Sequence, residues 1–260
     1  MRQVLREDAV VRIGDDIFQV SGSNTNWVIV KEGDDCTLID TGYPGDHDTL
    51  LASLDAVGLH PRSVTAVLVT HAHNDHIGSA ERLRSGYDVP VLMHHEEVPH
   101  ARRDYLDQVS VGQVLGQSWR PGVIPWAVHA LRAGGTAHVP VLHPQAFPTT
   151  DALDLPGSPV PLHTPGHTAG HCAYHLPRSG ILVAGDALVT AHPTSRLAGP
   201  QLLPGMFHTN RAQALDALDV LENVDADVIA PGHGPALRDS PRRAVALAQA
   251  RSRRKVRVEA

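Results

Sequence analysis

The chain has 260 residues, 42% of them hydrophobic, so it is long enough to bury a sizeable core. Its formal net charge of −6 argues against a surface built to bind nucleic acid. No hydrophobic run approaches the roughly 18 residues of a membrane span, and the N-terminus carries charges where an export signal needs apolar residues. We therefore expect a cytoplasmic protein that makes no contact with a membrane.

Short hydrophobic runs separated by glycine and aspartate turns predict strands in the first third of the chain. These predicted strands are Val10–Ile13, Ile17–Val20, Trp27–Val30, Thr37–Ile39, Ala66–Val69 and Pro90–Met93. Apolar residues at helical spacing predict helices over Asp46–Val57 and Ser79–Arg84.

Residues 96–135 interrupt this pattern of strands. They predict a helix over Glu96–Val109, a turn at Pro121-Gly122 and a second helix over Val123–Leu131. The segment contains Trp119 and Trp126, although aromatic residues make up only 4% of the chain. We interpret it as a helical insertion that caps a site, with both tryptophans as candidate substrate contacts.

Strands return in the second half of the chain and are again followed by helices. The predicted strands are Pro159–His163, Cys172–Leu176, Ile181–Ala184 and Val228–Ala230, and the predicted helices are Asn210–Leu221 and Pro241–Ala250. Two β-rich halves, each followed by helices, indicate sheets packed between layers of helices. Since no linker separates them, we expect a single domain over residues 1–260. The two cysteines lie in apolar runs and are expected to be buried thiols.

Histidine is unusually frequent, at 18 residues, and it clusters in short motifs. The run His71-Ala72-His73-Asn74-Asp75-His76 directly follows a predicted buried strand. His71 and His73 alternate and suit one metal ion, whereas Asp75 and His76 emerge later in the turn and suit a second position nearby. This density of metal-binding side chains predicts a metal site rather than a polar loop.

Three further fragments present potential ligands just beyond a predicted strand, beside glycines that allow tight turns. They contain His167 and His171 in the run 164–171, Asp186 after Gly185, and His233 between Gly232 and Gly234. Each is weak evidence alone. Together with the first run, they predict that several strand ends present histidine and aspartate to a site for two metal ions.

These motifs resemble the metallo-β-lactamase-fold superfamily. The family pattern is a strand ending in Asp-x-Gly, then His-x-His-x-Asp-His, a lone His, a bridging Asp and a final His. Here Asp40-Thr41-Gly42, the run 71–76, His167, Asp186 and His233 match it in order, across most of the chain. The resemblance implies an α/β fold, a four-layer αββα sandwich with the site on one edge, to which residues 96–135 add a helical insertion.

The resemblance also implies the role of each ligand residue. One metal would be held by His71, His73 and His167, the other by Asp75, His76 and His233, with Asp186 as a bridge between them. Asp40 would support the His-rich loop without binding metal, and His171 is expected to support or pack against the ligands. Two divalent ions are expected, with zinc favoured and iron or manganese as alternatives.

Two divalent ions close together lower the pKa of a bridging water from 15.7 toward about 7, so that a hydroxide becomes available to attack substrate. Asp75 is the expected catalytic residue, because it can orient this nucleophile and accept a proton. We therefore expect a hydrolase that cleaves an acyl bond (ester, thioester, lactone or amide) of a small molecule. A metal-storage role without catalysis is disfavoured by the complete ligand set.

Several alternatives remain open on the same scaffold. A persulfide dioxygenase uses one iron and the same first histidine trio, and β-lactamase or phosphodiesterase activity uses a similar metal pair. Nucleic acid is not an expected partner, whereas a homodimer is left open. His192 and His208 follow Asp186 and are candidate substrate contacts, since this loop borders the pocket in such folds.

Overall fold

The computed structural model describes residues 5–6 and 8–259, with side chains described as far as residue 253. Two β-sheets pack face to face in this part of the chain, and helices cover their outer faces. Within these residues no helix is both long enough and apolar enough to cross a lipid bilayer.

The first sheet contains seven strands in sequential order. They are β1 (Val10–Gly14), β2 (Ile17–Ser21), β3 (Asn26–Glu32), β4 (Asp35–Ile39), β5 (Val64–Leu68), β6 (Val91–Met93) and β7 (Gln145–Ala146). Strands β1 to β4 form an antiparallel meander, whereas β4 to β7 run parallel. The carboxyl ends of β4, β5 and β6 therefore meet at one edge of this sheet.

The second sheet contains five strands in the order β12-β11-β10-β9-β8. They are β8 (Val160–His163), β9 (Cys172–Leu176), β10 (Ile181–Gly185), β11 (Val228–Pro231) and β12 (Leu237–Arg238). Strands β10 and β11 are parallel, and the other pairs are antiparallel. As in the first sheet, two parallel strands bring their carboxyl ends to a common edge.

The helices are short, apart from the C-terminal one. They are α1 (His47–Ala56), α2 (Asn74–Ile77), α3 (Ala80–Tyr87), α4 (Val98–Arg102), α5 (Val111–Gly116), α6 (Val123–Arg132), α7 (Arg211–Asp216), α8 (Leu218–Glu222) and α9 (Pro241–Glu259). Leu50, Leu54 and Leu83 from α1 and α3 pack on the outer face of the first sheet. Leu218 and Leu221 from α8 pack on the outer face of the second sheet.

Side chains alternate between the two faces of each sheet, as the two-residue period of a strand requires. In β3, Val28 and Val30 point into the core between the sheets, and Trp27 and Ile29 point toward the helices. The same alternation occurs in β10, where Ile181 and Val183 face the inner core and Leu182 and Ala184 face α8 and α9. Four layers result, helix, sheet, sheet and helix, which confirms the predicted αββα sandwich.

The two cysteines are buried free thiols, as predicted. Cys36 lies on β4 in the outer core of the first sheet, and Cys172 lies on β9 between the sheets. Burial raises the pKa of the Cys172 thiol, which leaves it protonated at neutral pH. Both residues therefore act as small apolar side chains.

The helices differ from the sequence prediction mainly in segment 96–135. The helix predicted over Glu96–Val109 was wrong in length, because α4 ends at Arg102. Arg103 adopts a left-handed backbone conformation with φ of 67°, which an α-helix cannot continue through. Ser110 then begins α5 by accepting a hydrogen bond from the amide of Gln113 on its side chain.

Candidate metal centre

The predicted ligand residues all lie just beyond the carboxyl ends of strands, with Asp75 and His76 in the short helix α2. The run His71–His76 follows β5, His167 follows β8, Asp186 directly follows β10, and His233 follows β11. These strand ends lie at one edge of the sandwich, since β4 and β5 are parallel in one sheet and β10 and β11 in the other. Residues far apart in the chain therefore meet at a single point.

His71, His73 and His167 form a compact group with three ring nitrogens facing one another. His71 Nε2 lies 3.0 Å from His73 Nδ1, and His167 Nε2 lies 3.1 Å from each of them. Ligands about 2.0–2.1 Å from a tetrahedral zinc ion would stand roughly 3.3 Å apart, close to this spacing. Burial holds the pKa values of His71 and His167 well below the usual range, so both rings are neutral, the form that binds metal.

Asp75, His76 and His233 form a second group beside the first. Asp75 Oδ2 lies 3.7 Å from His76 Nε2 and 3.6 Å from His233 Nε2. Burial lowers the pKa of His76, but the charges of Asp75, Asp40 and Asp186 outweigh it and raise that pKa to about 10. The carboxylates therefore favour a positive charge at this position, which either a proton or a metal ion can supply.

Asp186 lies between the two groups and contacts both. Its Oδ2 atom lies 3.4 Å from His167 Nε2 and 3.2 Å from His233 Nε2. Its Oδ1 atom lies 3.6 Å from His76 Nε2. This position is the one expected of a carboxylate shared by two ions.

Two buried polar atoms at the centre of the site lack a hydrogen-bond partner among the described residues. They are His76 Nε2 and Asp186 Oδ1, which face each other at 3.6 Å. A buried polar atom without a partner carries a desolvation cost of about 1–3 kcal/mol. Such atoms are therefore rare, and those that occur often bind an ion or a water molecule. A divalent ion between them would satisfy both, and the residues present therefore fit a metal centre.

Asp40 fixes the orientation of His76 and of the loop that carries it. His76 Nδ1 donates to Asp40 Oδ2 at 2.8 Å, which leaves Nε2 directed into the site. Thr70 donates to the same carboxylate through its hydroxyl at 2.7 Å and through its amide at 2.8 Å. Asp40 thus holds two neighbouring parts of the ligand loop and does not itself face the metal groups.

His171 supports Asp186 from behind. His171 Nε2 accepts a hydrogen bond from the Asp186 amide at 3.0 Å, and its Nδ1 contacts the Thr164 hydroxyl at 2.8 Å. Burial lowers the pKa of His171 to about 4, which keeps the ring neutral and able to accept this bond. The contact joins the loop after β8 to the carboxyl end of β10.

Glu97 is a buried carboxylate that the sequence did not reveal as part of the site. Its Oε2 atom accepts from the Ala72 amide at 2.8 Å, and its Oε1 atom accepts from the Gly170 amide at 3.1 Å and from the Thr168 hydroxyl. These contacts tie together the two loops that supply the first histidine group. The motif His94-His95-Glu96-Glu97 gave no local signal for this role, since adjacent glutamates usually face solvent.

A chain of hydrogen bonds continues from Glu97 to His73. His100 Nδ1 donates to Glu97 Oε2 at 3.1 Å, and His100 Nε2 accepts from the Asp107 amide at 3.3 Å. The Asp107 carbonyl in turn accepts from His73 Nε2 at 2.5 Å, which leaves His73 Nδ1 free to face the other histidines. A buried network therefore selects the ligand atom of His73.

Arg103 was also missed by the sequence analysis. Its guanidinium donates to the Ala72 carbonyl at 2.8 Å and to Asn74 Oδ1 at 2.5 Å. Asn74 donates in turn to the carbonyls of Gly135 and Ala137. Arg103 and Asn74 thereby connect the ligand loop to both ends of the helical segment.

A cavity of about 320 Å³ opens above the metal groups. His73, Asp75, His167, Asp186 and His233 line its floor. Helices α5 and α6 supply most of the apolar lining, namely Val111, Val114, Leu115, Ile124, Trp126, Ala127, Val128, Ala130 and Leu131. The helical segment therefore supplies much of the apolar wall of the cavity, and its role as a cap stays a prediction.

The four candidate substrate contacts occupy different positions. Trp126 and His192 line the cavity, with their ring centroids 5.9 Å apart. His208 lies against His167, with ring centroids 5.4 Å apart, but outside the cavity lining. Trp119 differs from the expectation, because its side chain is 75% exposed and lies outside the cavity. It sits in the turn between α5 and α6, where helical spacing no longer directs a side chain inward.

Comparisons with known proteins agree with this architecture. Residues 20–233 match the Lactamase_B family, the metallo-beta-lactamase superfamily. The chain is 29% identical over 238 residues to metallo-beta-lactamase domain-containing protein 1 of Xenopus laevis, covering 90% of this chain and 80% of that protein. It is 24% identical over 209 residues to the probable metallo-hydrolase YybB of Bacillus subtilis, covering 79% of this chain and 78% of that protein.

Solved structures show the same fold. A metallo-beta-lactamase family protein of Thermus thermophilus superposes with a TM-score of 0.66 at 24% identity, over 90% of this chain and 76% of that one. A Cronobacter sakazakii metallo-beta-lactamase with a HARLDQ motif gives a TM-score of 0.69 at 16% identity, over 96% and 98% of the two chains. With a family match across residues 20–233, the chain belongs to the metallo-beta-lactamase superfamily.

Proposed function

We propose that this protein is a metal-dependent hydrolase that holds two divalent ions, with zinc as the favoured metal, and cleaves an acyl bond of a small molecule. The observation that carries the proposal is the cluster of seven donor residues, in which two histidine groups share Asp186. Zinc is favoured because neutral imidazole and carboxylate are its usual protein ligands. The substrate class comprises esters, thioesters, lactones and amides.

The ions would supply a Lewis acid for the substrate carbonyl and a water molecule that ionises near neutral pH. Asp75 would act as the base, and its position in the cavity lining, with 18% of its side chain exposed, supports this role. The Thr25 hydroxyl donates to the Asp75 backbone carbonyl at 2.9 Å and so fixes this residue from behind.

Asp75 accepts a proton from the attacking water, whose oxygen forms a bond to the carbonyl carbon. The bond from that carbon to the leaving oxygen, sulfur or nitrogen then breaks, and Asp75 returns the proton to the leaving atom. The products are a carboxylic acid and an alcohol, thiol or amine.

The charge of the cavity favours an acyl group over a phosphoryl group. The described lining contains neither lysine nor arginine. The five loops nearest the ligands, residues 40–47, 71–78, 164–171, 186–195 and 231–235, also lack both residue types. Phosphoryl transfer enzymes commonly place such cations beside the metals to stabilise added negative charge, so neither a phosphodiester nor a nucleic acid suits this cavity.

The test combines metal analysis with a comparison of rates on the zinc-loaded protein. We expect about two zinc ions per chain, and kcat/KM at least about tenfold higher for model esters, thioesters or lactones than for bis-p-nitrophenyl phosphate. Penicillin and cephalosporin substrates belong in the same screen, because the Cronobacter structural neighbour is named a beta-lactamase. Equal or faster cleavage of the phosphodiester contradicts the acyl assignment.

A second candidate is an iron-dependent oxygenase that acts on persulfides. It is favoured by the group of His71, His73 and His167. Their three facing ring nitrogens lie within 3.1 Å of one another and could hold a single ion without a second group of ligands. A single iron per chain, together with oxygen uptake in the presence of glutathione persulfide, would support this candidate over the hydrolase.

A further inference from the structure

The cavity above the metal groups has two chemically different ends. Its floor consists of the histidine and aspartate side chains that form the metal groups. Its roof consists of aliphatic and aromatic side chains from α5 and α6, including Val114, Leu115, Ile124, Trp126 and Leu131. A ligand that fills this space must therefore place a polar, reactive group at the floor and an apolar group beneath the roof.

The roof offers no charged partner to a substrate. In the described lining the charged carboxylates are Asp75 and Asp186, and both belong to the floor. The uncharged polar groups Gln108 and Thr136 lie beside the apolar wall. A substrate with a second charge far from its scissile bond would lose the hydration of that charge without gaining an ion pair.

Several roof residues remain exposed to solvent although they line the cavity. Leu115 is 63% exposed, Leu131 is 61% exposed and Ile124 is 48% exposed. Large apolar side chains that line a cavity and are also exposed to water are typical of a binding site. An apolar chain lying along α5 and α6 would cover these side chains and remove them from water.

The geometry points to a substrate whose acyl group carries an apolar chain, bound between the metal floor and the roof formed by α5 and α6. This inference rests on the proposed hydrolase function, because the floor must position the carbonyl of the same acyl group. At about 320 Å³ the cavity lies at the small end of ligand pockets, which suits a short to medium chain rather than a long one.

The first experiment varies the acyl chain of p-nitrophenyl esters on the zinc-loaded protein. Each methylene between the two-carbon and the six-carbon acyl group should raise kcat/KM about fourfold, or about 250-fold in total. A kcat/KM that is flat or falls over this series overturns the inference.

The second experiment measures binding without hydrolysis. Linear 1-alkanols from butanol to octanol are titrated into the zinc-loaded protein by calorimetry. Affinity should rise about fourfold per methylene, with a negative heat-capacity change that marks burial of apolar surface. If alkanols bind in this way but no ester is hydrolysed, the apolar site stands and the proposed function fails. If esters are hydrolysed but alkanols do not bind, the apolar site fails and the proposed function stands.

A pair of matched variants tests whether the acyl chain lies beneath the roof. Val114→Phe adds bulk to the roof, whereas Val220→Phe makes the same change on the exposed side of α8, outside the cavity. We expect Val114→Phe to lower kcat/KM for the hexanoyl ester at least tenfold and for the acetyl ester less than twofold, with unchanged zinc content. Val220→Phe should leave kcat/KM for both esters unchanged. Equal effects of the two variants, or equal effects of Val114→Phe on both esters, overturn the placement of the chain.

A second matched pair removes an indole from the same helical segment. Trp126→Ala should weaken alkanol binding at least fivefold, while Trp119→Ala should leave it within twofold, because Trp126 alone of the two lines the cavity. Circular dichroism and zinc content show whether Trp126→Ala still folds. If it does not, the Val114 and Val220 pair decides the question.

Discussion

The ligand-bearing edge and the helical roof are built in opposite ways. At the edge, three of the ligand histidine rings are fixed by a hydrogen bond from the ring nitrogen that faces away from the metal groups. His76 Nδ1 donates to Asp40, His73 Nε2 donates to the Asp107 carbonyl, and His233 Nδ1 donates to the Asn24 carbonyl at 2.6 Å. The ligand groups thus require little rearrangement to take up an ion.

The roof, by contrast, consists of two short helices. Helix α5 has 6 residues and α6 has 10, and both leave large apolar side chains exposed. Helices of this length have little stability of their own and depend on what they pack against. In the function proposed above, the strand ends would determine the chemistry and the roof would determine which substrate is accepted.

Substitution of Asp186 should have the largest effect, because this residue belongs to both metal groups. Asp186→Ala removes Oδ1 and Oδ2 together, and with them the contacts to His76, His167 and His233. We expect turnover of a model ester to fall at least about 10⁴-fold, equivalent to about 5.5 kcal/mol, and zinc content to fall below one ion per chain. A variant that keeps both ions would show that the two groups do not depend on a shared carboxylate.

Substitution of Asp75 should lower the rate of the reaction strongly but should leave metal binding by His71, His73 and His167 intact. Asp75→Ala should lower kcat about 10³-fold, within the range for loss of a general base, while one zinc ion stays bound by the three histidines. Metal analysis and ester kinetics on the same sample check both halves of this prediction. Asp55→Ala, on the exposed side of α1, is the matched control and should change neither. Loss of all zinc from Asp75→Ala would contradict the division into two groups.

Glu97 connects the edge to the start of the roof, and its charge should appear in the acid stability of the protein. Burial raises the pKa of Glu97, but hydrogen bonds from His100, Thr168 and Ala72 outweigh it and hold that pKa at about 2, below the ordinary 4.5. A depressed carboxyl pKa stabilises the fold above about pH 4.5, and this contribution disappears as the pH falls toward 2. For a shift of this size the contribution is about 3 kcal/mol, of which about 2 kcal/mol is lost by pH 3.

Urea unfolding of metal-free protein at pH 6 and pH 3 tests this expectation. The wild-type chain should lose about 2 kcal/mol more than Glu97→Gln between these pH values. Glu96→Gln serves as the control, since the neighbouring side chain is half exposed and holds neither ligand loop. Identical acid sensitivity of wild type and Glu97→Gln would show that Glu97 is not ionised against these partners.

Trp119 should have the smallest effect. Its ring is mostly exposed and lies 5.3 Å from the Arg120 guanidinium carbon, a contact of about 0.5 kcal/mol at an exposed position. Trp119→Ala should therefore change the free energy of unfolding by less than about 0.5 kcal/mol and leave zinc content unchanged. A larger loss would mean that the roof packs more tightly than its exposed surface indicates.

The sequence was most informative where a side chain follows a strand directly. The ends of β5, β10 and β11 could be located from compact hydrophobic runs, and Gly185 and Gly232 indicated the turns beyond them. Because parallel strands bring these ends to one edge, the seven predicted ligand residues come together in the structure. The order of the elements, two β-rich halves each followed by helices, likewise indicated packed layers, and the family resemblance implied the αββα arrangement.

The sequence was least informative where burial depends on distant partners. Glu97 is buried because amides 25 and 73 residues away bind its carboxylate, and no local pattern encodes such contacts. The end of α4 at Arg103 and the outward direction of Trp119 are similar cases. Both depend on turn geometry within a segment whose composition is compatible with continuous helix.

The order in which the ligands occur along the chain also has a consequence for biosynthesis. His71 and His167 are 96 positions apart in the chain, and His233 and its partner Asn24 are 209 positions apart. A ribosome must therefore synthesise the chain past His233 before the donor set can close. Until that point the His71–His76 run would offer only four of the seven candidate donor residues, and metal binding by the complete set would have to follow folding of the second sheet.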